Sequence, residues 1–144
     1  AWAVAPDGDA IAYVAINDDS MNTLVIQSLE AGVTVFHDLP WALLPGSIRW
    51  SPEGDAVVLR TIEPPDSPQR ERVWFALRYE DTDPMTMAMP GQVMGAQAVS
   101  ADLALLLVYN GMPPEIYTLD RERWDRIALN LPLGLVRPRF LYEQ

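Results

Sequence analysis

His37 is the one histidine among the 144 residues, and the chain has no cysteine. Nucleophilic catalysis of the Ser-His-acid kind needs a histidine beside a serine and oriented by a carboxylate. The serine that follows a glycine, Ser47 in "PGSIR", does not make the G-x-S-x-G elbow of a hydrolase. His37 is therefore expected as a surface residue at a strand end, and no catalytic residue is assigned. Without a second histidine or any thiolate, a transition metal has no ligand set. Calcium needs only oxygen ligands, and "DDSMN" spaces Asp18, Ser20 and Asn22 two apart, as an EF-hand loop begins. The loop glycine is missing, however, and the twelfth place, which calls for a bidentate Glu, is Leu29. Neither a metal nor a cofactor is expected, and no phosphate-cradling glycine loop is present. Paired carboxylates for glycoside chemistry stay open, because 20 acids must approach one another somewhere.

Charge narrows the partners. The formal net charge is −10, whereas phosphate binding rests on Lys and Arg neutralising the backbone. Nucleic acid and anionic membrane surfaces are therefore poor partners. All ten basic residues are Arg. No run approaches the ~20 apolar residues that a membrane helix needs, and "ADLALLLVY" (101–109) is strand-sized. Apolar residues at 49% and charged residues at 21% suit a globular domain with a real core.

The elements that would position a site come from a repeat. "APDGDAIAYVA" (5–15) is restated as "SPEGDAVVLRT" (51–61) and, more loosely, as "SADLALLLVY" (100–109). Aligning the turns pairs Val4, Trp50 and Val99, with a weaker start at Phe140, at spacings of 46, 49 and 41 residues. Such a period suits a blade of four short strands. Pro presets φ for the second turn position, Asp bonds the backbone two residues on, and Gly takes the left-handed conformation. Gly8 and Gly54 are thus hairpin corners. Leu103 stands at the third corner, which should be looser or differently shaped. Only "RERWDRIALNL" (121–131) has a helix-like spacing, and its place in the repeat argues for a fourth strand. Trp50 and Trp74 fall inside strands, where core is expected. Met85, Met87 and Met89 follow the two-residue period of one strand face.

"VAPDGDAIAYVA" and "RWSPEGDAVVLRT" resemble the WD40-like repeat of TolB-type β-propellers, which runs roughly W-S-P-D-G-x-x-I-A-F. "LVIQSLEAG" (24–32) and "EIYTLDRERWDRIAL" (115–129) are similar to its second half. Val4 and Val99 depart from its Trp, and the third copy lacks its Pro-Gly. The resemblance implies an all-β fold: a β-propeller fragment of about three four-stranded antiparallel blades. Expected blade limits are about 1–46, 47–95 and 96–136, with 137–144 starting another. It also implies extracytoplasmic placement and one of two roles, a non-catalytic interaction scaffold or the propeller lid of a prolyl-oligopeptidase-like hydrolase.

Propellers close with about 4–8 blades, since an open ring leaves apolar faces in water. The chain starts at Ala1, without Met and already in register with the repeat. It is thus expected to be a piece of something longer, or to complete a ring by homodimerisation. Binding residues concentrate on loops held by a rigid scaffold. The links between second and third strands and between blades are the long ones. The expected contacts there, for a protein, peptide or small ligand, are Asp18, Asp19, Trp41, Arg70 and Asn110.

Overall fold

A computed structural model of the chain describes residues 2–16, 22–30, 32–40, 42–44, 46–62, 71–80, 83–88, 92–109, 115–119 and 124–127. Among them there is no helix, and the strands form three antiparallel sheets in chain order. The first sheet is β1 (Trp2–Val4), β2 (Ala10–Ile16), β3 (Asn22–Ser28) and β4 (Thr34–Leu39). The second holds β5 (Ala42–Leu43), β6 (Arg49–Trp50), β7 (Ala56–Ile62), β8 (Glu71–Leu77) and β9 (Met85–Ala88). The third is β10 (Gln92–Ser100), β11 (Leu103–Tyr109), β12 (Glu115–Leu119) and β13 (Trp124–Ile127). The segment with helix-like spacing therefore contributes a strand, as its place in the repeat demands.

The second sheet has five strands but is four wide. β5 and β6 lie along the same edge of β7, pairing Leu43 with Thr61 and Trp50 with Val57. Between them the chain leaves the ladder, and Ser47 fills the gap. Its Oγ accepts from Arg60 N at 3.1 Å and donates to Arg60 O at 3.2 Å. The backbone groups of Arg60 are thus satisfied where the ladder is broken.

The corners follow the turn chemistry. Gly8 N donates to Ala5 O and Gly54 N to Ser51 O, both at 2.9 Å. Both glycines sit at positive φ, 76° and 73°. The third corner differs: Ser100 pairs directly with Leu103 across a two-residue link, after a register shift between Ala98 and Ser100. It is thus differently shaped, and tighter rather than looser: two residues link the strands there, where four separate Ala5 from Ala10 at the first corner.

The sheets pack face to face in sequence. One core lies between the first two sheets, joining Ala10, Ala12, Leu24 and Ile26 to Trp50, Val57, Leu59 and Trp74. The second joins Ala56, Val58, Val73 and Phe75 to Ala96, Ala98, Leu106 and Val108, with Met85 and Met87 packed against it. Trp50 and Trp74 are core residues, as expected. His37 is not a surface residue: it is 6% exposed. β4 alternates, and Val35, His37 and Leu39 share its buried face. Pairing with Leu24 then puts the imidazole on the sheet face that packs against the second sheet.

Candidate functional site

The three corners meet at one end of the sheets, and charge ties them. Arg78, just after β8, is 1% exposed. Its Nη1 donates to Asp7 Oδ2 and Gly54 O, both at 3.0 Å. Nη2 reaches Asp9 O at 3.2 Å and Asp9 Oδ2 at 3.3 Å, and Nε reaches Ser28 Oγ at 3.1 Å. The guanidinium lies 4.9 Å from the centre of the Tyr79 ring and 6.0 Å from that of Trp50. A buried cation so fully paired locks sheet to sheet. Asp9 N caps the Asp7 carboxylate at 2.9 Å, and this bond, followed by Arg78, holds the Asp7 pKa below its ordinary value. Asp55 continues the chain of corners. Its Oδ1 takes the Ser51 hydroxyl at 2.5 Å, and its Oδ2 takes Ala101 N of the third corner at 3.1 Å. This end is structural.

Further along the first strands, each sheet reaches back to the one before. Trp50 Nε1 donates to Ala3 O at 2.9 Å, and Gln97 Nε2 donates to Trp50 O at 2.8 Å. Turn alignment matches Trp50 with Val99, but its cross-sheet bond is repeated by Gln97, on the far side of the register shift.

With the corners gathered at one end, the other ends of the strands lie together opposite. Ile16 and Asn22, Ala42, Ile62 and Glu71, and Gln92 and Tyr109 are those ends. The expected contacts Asp18, Asp19, Trp41, Arg70 and Asn110 adjoin these strand ends in sequence and lie outside the described residues. What is described there is a charged pair that sequence reading missed. Arg60 Nη1 lies 3.4 Å from Glu71 Oε2 and donates to Val93 O at 2.8 Å, across the seam between second and third sheets. Desolvation dominates at Glu71 and raises its pKa despite the attraction of Arg60 and a main-chain bond from Val93. The signal was an arginine inside the otherwise apolar strand "AVVLRTI" (56–62). Perturbed carboxylates in clefts mark candidate sites. The pair can bind a polar group or hold a proton, and among the described residues no cluster of His, Cys, Asp and Glu could hold a metal.

Neither a protein-family model nor a curated protein matches the chain. Solved structures do. The β-propeller domain of the Trilobed protease from Pyrococcus furiosus matches at a TM-score of 0.60 and 12% identity, over 89% of this chain and 42% of that one. The acylaminoacyl peptidase of Pyrococcus horikoshii matches at 0.54 and 11%, over 87% and 24%. TolB from Acinetobacter baumannii follows at 0.48 and 16%, over 90% and 33%. The chain spans less than half the length of each. The first likeness bears on the fold: three antiparallel sheets, each four strands wide and packed in sequence, are propeller blades.

Proposed function

We propose that this chain is a TolB-like β-propeller scaffold that binds a protein or peptide, without catalysis of its own, on the face opposite the glycine corners. The observation that carries the reading is Glu71. A carboxylate partly stripped of water beside Arg60, at a seam between blades, is a costly arrangement that a polar ligand can use. Asp18, Asp19, Trp41, Arg70 and Asn110, which adjoin the strand ends in sequence, are the further contacts of this reading, with Trp41 as the aromatic anchor. The test is a displayed peptide library panned on the immobilised chain, then binding of the selected peptide to Asp19→Asn, Trp41→Ala, Arg70→Ala and Glu71→Gln. Loss of about tenfold or more in at least two variants supports the site. Unchanged affinity in all four rejects it.

A second reading has one observation in its favour: two of the similar structures are a protease's propeller domain and a peptidase. In it the chain is the propeller lid of a prolyl-oligopeptidase-like hydrolase whose catalytic domain lies outside these residues. The coding sequence around the segment separates the two. A downstream G-x-S-x-G followed by Asp and His favours the enzyme, and its absence favours the scaffold.

A further inference from the structure

His37, the chain's one histidine, is buried inside the seam between the first two sheets. Histidine is the side chain whose ordinary charge change falls between about pH 5 and 8. Its neighbours on the same side of β4, Val35 and Leu39, belong to the core that joins the two sheets, and Leu24 pairs with it from β3. β4 is the outer strand of its sheet and pairs with β3 alone among the described strands. The imidazole therefore sits at the outer edge of the seam, across the sheet from the bond between the Trp50 indole and Ala3 O.

The charges around it decide how it responds to acid. Strand alternation turns Tyr13 on β2, Asp38 on β4, Arg60 on β7 and Glu71 on β8 to the other sides of their sheets. Arg72 is on the seam side. It pairs with Thr61, whose hydroxyl accepts from the Trp74 indole within the seam. Its Nη1 donates to Thr86 Oγ1 at 3.3 Å, on the same side of β9. At the corner end of the seam, Asp7 and Asp9 are held by Arg78. A proton on His37 thus adds a cation to a seam that already holds Arg72, and no carboxylate on the described strands shares that side. Burial disfavours the charged imidazole further.

We propose that the outer edge of this seam is an acid-operated switch: His37 is neutral while the first two blades are closed, and its protonation lifts β4 off the second blade. The corner end stays fastened. Asp9 N and then Arg78 keep the Asp7 pKa below its ordinary value, so the clamp stays charged where an imidazole gains its proton. Opening is then local and hinged on the corners, not global unfolding. Below the ordinary imidazole value of about 6.5, the open seam binds a proton at His37 and the closed seam does not. The closed form is therefore favoured above that value, and each pH unit below it raises the open fraction by up to about tenfold. The switch depends on the fold and is independent of the ligand face.

NMR of the 144-residue chain without a histidine tag tests it, because His37 then gives the single imidazole signal. At about pH 5.5, one unit under the ordinary value, that signal should still be mainly the neutral form. Hydrogen-exchange protection of the β4 amides, Thr34–Leu39, should fall about fivefold between about pH 6.5 and about 5.5. Protection of β11, which belongs to the third sheet, should stay constant over the same range. His37→Gln removes the titrating group and should leave β4 protection flat. Should that variant not fold, His37→Phe, which keeps a planar ring in the apolar seam, replaces it. An imidazole already charged at about pH 5.5 with β4 still protected overturns the proposal. So does an equal fall in the His37 variant, or a parallel fall in β11, which would be acid unfolding of the whole chain.

Discussion

Arg78 Nη1 lies 3.0 Å from Asp7 Oδ2, a residue 71 positions earlier in the chain. The arginine is 1% and the aspartate 47% exposed, so a buried cation meets a carboxylate that water still reaches. Through this contact the second blade holds the corner of the first. Removing the cation with Arg78→Ala leaves Asp9, Gly54 O and the Ser28 hydroxyl without their donor. The expected loss is about 2–3 kcal/mol, from the buried Ser28 hydroxyl and Gly54 carbonyl left unpaired and the space left behind, since water still reaches Asp7 and Asp9. Arg78→Met, which fills more of the space, should cost less but in the same direction. Urea denaturation measures both, and a loss under about 1 kcal/mol for Arg78→Ala would reduce the clamp to an ordinary surface pair.

Two carboxylates give stability opposite responses to pH. Asp7 is held below its ordinary value of 3.8, first by Asp9 N and then by Arg78. Its contribution is present above that value and is lost as pH falls through the lower folded value. Glu71 is raised above 4.5 by desolvation. The folded state keeps its proton where the unfolded chain has lost it, so that contribution fades as pH rises through the window above 4.5. Melting temperatures across this range should show a shallower acid limb in Asp7→Asn. Glu71→Gln should remove the decline above 4.5. Parallel profiles for wild type and both variants would contradict the assignments.

Trp50→Phe deletes the Nε1 donor and with it the bond to Ala3 O across the first seam. Lost volume at a fully buried position adds to that, for about 2 kcal/mol in all. Chemical denaturation reads it, with a change below about 0.5 kcal/mol as the contrary outcome.

Gly8→Ala and Gly54→Ala both place a side chain at positive φ, costing about 1–2 kcal/mol each. They differ in surroundings. A methyl at Gly54 would lie 3.4 Å from both Arg78 Nη1 and Asp7 Oδ2, whereas one at Gly8 meets nothing within 4 Å. Gly54→Ala should be at least as costly, and any excess should vanish in an Arg78→Ala background. A double-mutant cycle tests the coupling.

The two glycine corners, the strands behind them and the burial of Trp50 and Trp74 were legible because each rests on local chemistry. Turn geometry acts over four residues and strand alternation over two. His37 was misjudged because a polar side chain near a strand's end reads as surface, while its alternation with Val35 and Leu39 buries it. The clamp at Arg78 gave no local sign. It follows Leu77, and its partners lie 24, 50, 69 and 71 residues back. Arg60 was visible as a charge in an apolar strand, but its bond to Val93 O, 33 residues on, was not.

What the residues determine alone is therefore the unit: a tight turn, proline–acid–glycine in the first two copies, and alternating strands specify one antiparallel blade, three times over. What only the tertiary structure decides is how units meet. A sheet has two faces, and no local signal says which carbonyl the Trp50 indole will find or which carboxylates will neutralise Arg78. Those choices follow from packing, because a buried donor must be satisfied by whatever the neighbouring blade presents.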